Sequence, residues 1–463
     1  MLIKLIPPAP KRSAFWRPEI VATILVYIGF ASVFSISTAQ DIADDPIGFK
    51  FIRIVTTILM FAVCATTVLR RNLLRHLSLP SVWPFCLFIV TCCLSIPYSL
   101  NISLSLFKSF ELFGILLLII VMIGSSNARP IDFLNLNVTI ILFILCVVLI
   151  EAALWPGRAF TPLRGATPLL HNMMSGVYPA LNPNTVGMLG GILASTMFPR
   201  ILMSRPARQL SGAYSFHKAA GVLLIGVLVT FLAYSRSAIM GVGASFAIIL
   251  FINIRLRRGI RATLYLVFGL FILILFVLKP IFGDVETWTT SYLKRGQNVE
   301  NVDEIYSGRK EIWTEVWKKY EGSVFGEGYA AGFRYADIKD WGQAHNSIFE
   351  LLANVGWLGT LAWLLLIVRF LVRFARLQSH LPSANREESL QVLGVTIFLL
   401  VKTYATCALV YPGYDLLIFS SLIVYVEKMT LLTSSSSGAG QNRMILARRP
   451  NKIRNVIFQD PQM

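Results

Sequence analysis

The 463-residue chain is 55% hydrophobic and only 14% charged, with a mean hydropathy of +0.66, whereas an ordinary soluble domain is roughly a quarter charged. This composition excludes a soluble enzyme and describes an all-α polytopic membrane protein. A net charge of +18 would suit nucleic acid, but the basic residues stand in short clusters between apolar runs. Such clusters set membrane topology and touch anionic headgroups, so membrane lipids are expected as partners and nucleic acid is not.

The N-terminal stretch "MLIKLIPPAPKRSAFWRPEI" is basic and proline-rich, and no small-residue cleavage site follows, so the first apolar run reads as a retained span. Runs of spanning length recur near 19–37, 52–69, 82–99, 104–124, 135–154, 184–203, 218–235, 238–254, 262–282, 349–372, 389–409 and 413–431. They predict about twelve transmembrane helices: nine within 1–282, a large outer loop over 283–345, three more within 346–432, and a flexible basic tail over 433–463. With a cytoplasmic N-terminus, "RRNLLRH", "RLRRGIR", "RFLVRFAR" and the tail "RMILARRPNKIR" fall inside. The outer segment "TAQDIADDPIGF" is acidic, as the charge rule expects, so both termini are placed in the cytoplasm. The six cysteines lie inside apolar runs without ligand spacing and read as small buried hydrophobes rather than disulfides or metal ligands.

Two outer segments are long, Pro156–Pro183 and Gly283–Ala344. In the second, Ile312, Trp313, Val316, Trp317 and Tyr320 recur at helical spacing opposite Lys310, Glu311, Glu315, Lys318 and Lys319. The pattern predicts an amphipathic helix lying on the outer leaflet with its tryptophans at headgroup depth.

Orientation gathers the scattered polar residues. Lys108, Glu111, Glu151, Arg236, His345 and Lys402 all fall in the non-cytoplasmic half of their spans, which predicts a cavity open to that side. Lys108 and Glu111 have the i,i+3 spacing of an ion pair, and Lys402 and Glu151 either snorkel or line the cavity. Arg309 follows Ser307, a candidate N-cap, at a helix start where the macrodipole favours anions; a bound phosphate would reconcile arginine with that position. Arg236, flanked by serines, is a candidate second phosphate ligand, and for both arginines a simple headgroup contact is the alternative. In "AHNSIFELLANVGWLG", Ser347 and Glu350 fit a capping box, Asn346, Glu350 and Asn354 share one helix face, and Gly356 and Gly359 permit close helix packing. His345 stands just before this helix, either as a hydrogen-bonded structural residue or as a catalyst. Asn182–Gly187 reads as a turn and helix start.

Taken in order, "PN" (Pro183, Asn184) after an outer loop, "SR" (Ser235, Arg236) at an outer helix end, "GR…W" (Gly308, Arg309, Trp313), "GxG" (Gly326, Gly328) and then "HNSIFELLANVGWLG" resemble the O-antigen ligase and polysaccharide polymerase superfamily of bacterial envelopes, over roughly residues 180 to 370. The first outer loop departs from the pattern, leaving Arg164 and His171 out of the implied site. The resemblance implies a GT-C-type glycosyltransferase of the inner membrane, acting on undecaprenyl diphosphate-linked oligosaccharide at the periplasmic face, with no metal or other cofactor. It implies that Arg236 and Arg309 stabilise the leaving diphosphate and that His345 acts on the acceptor hydroxyl as base or orienting group. Asn346, Glu350, Asn184 and Lys402 are secondary candidates. The wording around His345 looks more like exopolysaccharide polymerases than ligases. A flippase and a chain-length regulator are possible protein partners. A lipid or solute transporter is the reading outside the family; it would carry polar residues to the inner leaflet as well.

Overall fold

The structure is a computed structural model that describes residues 17–31, 48–126, 128–162, 172–203, 216–273, 309–336, 343–381 and 385–447. The apolar runs fold as helices α1 (Pro18–Ala31), α2 (Gly48–Arg70), α3 (Trp83–Leu94), α4 (Ile102–Gly124), α5 (Asp132–Leu154), α6 (Pro183–Met203), α7 (Phe216–Leu232) and α8 (Arg236–Leu273). The amphipathic α9 (Arg309–Tyr320) follows, then α10 (Ser347–His380), α11 (Arg386–Ala405) and α12 (Tyr414–Ala447). Among the described residues eight helices are long and apolar enough to cross a membrane, and three shorter apolar helices stand at Pro18–Ala31, Trp83–Tyr98 and Phe216–Leu232.

The described residues depart from the predicted spans at 238–273, and 274–282 lie outside them. Instead of two spans joined by a cytoplasmic turn at "RLRRGIR", α8 runs unbroken for 38 residues. Arginine and leucine are good helix formers and a single glycine costs only about 1 kcal/mol, so the basic stretch propagates the helix. Likewise α12 extends to Ala447, beyond the boundary at which the sequence predicts a flexible tail. Residues 448–463 lie outside the described chain.

The spanning segments of α4, α6 and α12 are about three-quarters buried, whereas those of α2 and α8 are one-third buried, so the first three form the centre of the bundle. Glycines let α6 and α7 touch: a Cβ on Gly190 would stand 2.8 Å from the Gly226 carbonyl, and one on Gly226 at the same distance from the Gly190 carbonyl. Large apolar side chains such as Leu69, Phe143 and Leu224 face outward, as hydrocarbon contact permits.

Buried charge is not confined to one end, contrary to the sequence-based expectation. Glu427 and Lys428 lie at the far end of the α12 span. Glu427 accepts the Ser81 N–H at 2.9 Å and lies 3.8 Å from Arg373, while Lys428 donates to the carbonyls of Met122, Ser125 and Ala128 at 3.2, 2.7 and 2.8 Å. Lys428 thus caps the orphan carbonyls that end α4, a partnership no local spacing could announce.

The first outer segment forms a small antiparallel hairpin, β1 (Phe160–Pro162) with β2 (Asn172–Met174), Phe160 opposite Met174. Arg164 and His171 lie outside the described residues. Glu151 does not snorkel: it is buried and accepts the N–H groups of Val177 and Tyr178 at 3.0 and 2.7 Å, anchoring the loop that leads into α6.

Candidate functional site

α9 packs one apolar face on protein, while Trp317 stays exposed. Ile312, Val316 and Tyr320 are buried against Phe333, Ala344, Leu352 and Ala353, so the helical repeat marks a face that meets protein. The Trp313 indole donates to the Ala344 carbonyl at 2.8 Å and stacks on Phe349 at 5.5 Å. The helix start is therefore seated on the entrance of α10, and Arg309 Nη1 reaches the Ala405 carbonyl at 3.2 Å. That carbonyl belongs to the C-terminal end of α11, where the macrodipole favours cations; the misfit of an arginine at the start of α9 is relieved by another helix's end. Ser307 and Gly308 lie outside the described residues.

The same end of α11 collects further groups. Asn346 Nδ2 donates to the Tyr404 carbonyl at 3.1 Å, and Ser347 Oγ donates to the carbonyls of Thr406 and Ala408 at 3.1 and 2.7 Å. Lys402, one turn earlier and buried, is 3.4 Å from Ser237 Oγ. Ser235, two residues before it, donates to Asn184 Oδ1 at 3.3 Å, so Lys402 is tied into the bundle and does not snorkel. The "PN" element starts α6 as expected, the Asn182 side chain accepting the Thr185 N–H at 2.8 Å. The segments carrying Asn184, Arg236, Arg309, His345 and Lys402 thereby converge on the end of α11, Arg236 through its neighbours Ser235 and Ser237.

His345 itself sits in the left-handed region at φ 52°, a conformation costing a non-glycine residue roughly 1–2 kcal/mol. The peptide before it is held at both ends: the Ala344 N–H donates to Glu350 Oε2 at 2.7 Å and its carbonyl accepts from Trp313. On the other flank Asn346, rather than Ser347, is the N-cap, its Oδ1 accepting the N–H groups of Ile348 and Phe349 at 2.9 and 3.4 Å. The predicted capping box is thus displaced by one residue, because Ser347 is turned to α11 and Glu350 reaches back past the cap. Burial, and secondarily the Arg309 charge, push the His345 imidazole down to about 4. It is neutral at pH 7 and able to accept a proton or hydrogen bond.

Glu350 and Asn354 are engaged inside the protein. Glu350 accepts from the Tyr411 hydroxyl and from Cys407 Sγ as well as from Ala344, so neither oxygen faces an open site. Asn354 donates to the Tyr411 hydroxyl at 2.6 Å and accepts the Phe333 N–H at 3.1 Å. Tyr411, Cys407 and Trp313's indole N–H are participants that sequence reasoning did not single out; "LVYPGYD" reads simply as an outer turn.

Gly356 does not mediate helix packing. At φ 65°, ψ −164° it breaks α10, and the loop around the "GxG" element fills the break. The N–H groups of Glu327 and Gly328 donate to the carbonyls of Ala353 and Asn354, both at 2.9 Å, while those of Trp357 and Leu358 donate to the carbonyls of Ser323 and Val324, both at 3.1 Å. In an unbroken helix residues 357 and 358 would bond to 353 and 354; the loop inserts between these pairs.

A third cluster, next to the turn after α11, unites Lys108 and Glu111 as expected, with Nζ 2.7 Å from Oε2. Arg53, which the sequence did not mark, joins them: its Nε is 2.5 Å from Glu111 Oε1 and its Nη2 donates to the Pro412 carbonyl at 3.2 Å.

Residues 221–364 match a protein family described as O-antigen ligase. This region contains Arg236, Arg309, Trp313, His345 and the broken part of α10, and the match supports the resemblance of this part of the chain to the O-antigen ligase and polymerase superfamily. No curated protein matches the chain significantly.

Proposed function

We propose that the protein is a polymerase of bacterial surface polysaccharide, of exopolysaccharide or O-antigen type, which joins undecaprenyl diphosphate-linked repeat units at the periplasmic face of the inner membrane. The observation that carries the proposal is the meeting, within or beside the matched region, of Arg309, Lys402 and a neutral His345 around the end of α11. In this reading the acceptor hydroxyl hydrogen-bonds to the imidazole, and its oxygen attacks the anomeric carbon from the face opposite the diphosphate. The bond from that carbon to the diphosphate oxygen breaks, the proton passes to His345, and the new glycosidic bond has inverted configuration. Negative charge grows on the leaving diphosphate, where Arg309 and Arg236 supply fixed cations. Arg309 directs Nη1 to the Ala405 carbonyl at the end of α11. No metal is required in this scheme, and the fold is expected to be of the GT-C type, with both termini cytoplasmic.

The second reading is transfer of a finished lipid-linked glycan to lipid A core, with which the matched family agrees as well as with the first. A transporter is disfavoured because the inner-half charges Glu427 and Lys428 are bound to backbone groups rather than lining a path. The test is purified protein in nanodiscs with an undecaprenyl diphosphate-linked repeat unit, with chelator and His345→Ala arms. A product ladder from the lipid-linked repeat alone, insensitive to chelator and lost in the variant while the protein still accumulates, is expected. Transfer only on addition of lipid A core would make it a ligase, and no transfer under either condition would refute both.

A further inference from the structure

The break in α10 stands too close to the far end of the bundle to lie at a membrane surface. Beyond Gly356 the helix is apolar from Trp357 to Val368, a length of about 18 Å at about 1.5 Å per residue. Arg369 follows, its guanidinium 5.7 Å from the centre of the Trp83 ring. An arginine beside a tryptophan marks the headgroup level, where both polar tips meet water. A hydrocarbon core is about 30 Å thick, so roughly 12 Å of it extends past the break toward His345. Tilt of the helix enlarges that share. Helix α3 repeats the shortfall. It packs beside the break, where a Cβ on Gly359 would stand 3.3 Å from Thr91 Oγ1. The apolar stretch Trp83–Tyr98 covers only about 24 Å.

The loop of residues 323–328 fills this layer. Its hydrogen bonds into the break put it at the depth of Gly356. Unsatisfied backbone is costly in hydrocarbon, and the carbonyls at the loop tip are taken. Ser323 and Val324 accept from Trp357 and Leu358, and Phe325 accepts from the Ser323 hydroxyl. The tip side chains nevertheless turn outward, Val324 being 53% and Phe325 52% exposed. Phe325 meets Tyr98 edge-on at 5.7 Å, and the exposed Trp317 meets Trp357 edge-on at 5.9 Å. Through Tyr98 and Leu358 the tip is continuous with the outward apolar side chains of the two helices, Val90 and Leu94 on α3 and Leu358 and Leu361 on α10. Lys319 and Glu327, 3.2 Å apart, place the nearest ion pair at the rim of the loop, and the tip itself, Ser323–Gly326, carries no charge.

We propose that Val324 and Phe325 are inserted among the acyl chains of the bilayer, making residues 323–328 a re-entrant element at the end of the bundle that bears His345. Bulk phospholipid is the partner, because the surface is uncharged, lies at hydrocarbon depth and continues the lipid-facing sides of α3 and α10. The bilayer thereby presses the loop into the break of α10. This inference does not depend on which reaction the protein catalyses.

The test is photocrosslinking of the full chain in phosphatidylcholine nanodiscs with Phe325→p-benzoylphenylalanine, and with Leu361→p-benzoylphenylalanine as the hydrocarbon control. Irradiation is expected to add the mass of a phosphatidylcholine molecule to both proteins. An adduct at 361 without one at 325 overturns the insertion. A covalent dimer through 325 assigns the surface to a second copy, and an adduct with a co-purified polyprenyl lipid assigns it to that lipid's chain; either outcome overturns bulk phospholipid as the occupant. The wild type supplies the deciding measurement should a variant fail to accumulate: footprinting with an apolar diazirine dissolved in the bilayer, in parallel with a water-soluble one. The peptide bearing Val324 and Phe325 is expected to favour the apolar reagent about tenfold or more, the partition that burying a phenyl side chain supplies. Equal or reversed labelling overturns the proposal.

Discussion

Replacing Gly356 by alanine forces a choice between strain and loss of the docked loop. At φ 65°, ψ −164° the residue occupies a region essentially reserved for glycine, costing roughly 1–3 kcal/mol for any other residue. A Cβ there would stand 2.5 Å from the Val324 carbonyl oxygen and 2.5 Å from the Phe325 carbonyl carbon, both backbone atoms that cannot rotate aside. The alternative is for α10 to close on itself: Trp357 and Leu358 turn back to Ala353 and Asn354, and the loop's four hydrogen bonds give way to two helical ones. At about 2–3 kcal/mol in total, the balance between docked and released loop shifts roughly 30- to 150-fold toward release. Limited proteolysis of the segment 321–336 in nanodiscs reads this directly, and transfer activity reads its consequence, because the segment directly follows α9, which bears Arg309 and Trp313. Faster cleavage with at least a tenfold loss of transfer is expected. Wild-type protease resistance together with wild-type activity would show that neither the break nor the docked loop positions the site.

Trp313→Phe keeps the stacking on Phe349 but removes the donor to the Ala344 carbonyl, leaving a buried acceptor whose loss is worth about 1–3 kcal/mol; kcat is expected to fall at least tenfold with normal protein accumulation, and an unchanged kcat would end the view that this peptide clamps His345. Because the folded His345 pKa lies below its ordinary value, catalysis needing the neutral imidazole is fully present at neutral pH and is lost as pH falls through about 4. The unfolded chain takes up the proton first, so this group's contribution to stability declines over the same descent from its ordinary value. Arg309→Gln removes one of the two causes and should move the acid limb of the rate profile upward; a wild-type midpoint near the ordinary histidine value would contradict the burial. Arg309→Lys keeps the charge but loses the planar fork, and is expected to raise KM for the lipid-linked donor; a KM equal to wild type would argue against diphosphate recognition by this side chain.

The spans, the amphipathic α9, the helix start at Pro183 and the Lys108–Glu111 pair were legible because each is written in a local period or spacing: apolar length, the 3.6-residue repeat, a turn dipeptide, an i,i+3 pair. The candidate residues His345, Arg236 and Arg309 were legible as types in order, through the resemblance, without any indication of what surrounds them. Only the tertiary structure decided that α9 packs one apolar face on protein, that Arg309 and Asn346 meet the end of α11, that Glu350 holds the peptide before His345, and that Gly356 opens α10 to admit the loop. Arg53 and Lys428 went unmarked for the same reason. Their partners, Glu111 and Pro412 for one and the α4 carbonyls for the other, lie tens to hundreds of residues away. A charge buried by distant backbone groups leaves no signature in its own neighbourhood of the chain, whereas a helix's apolar face and its turns are set by interactions only a few residues long.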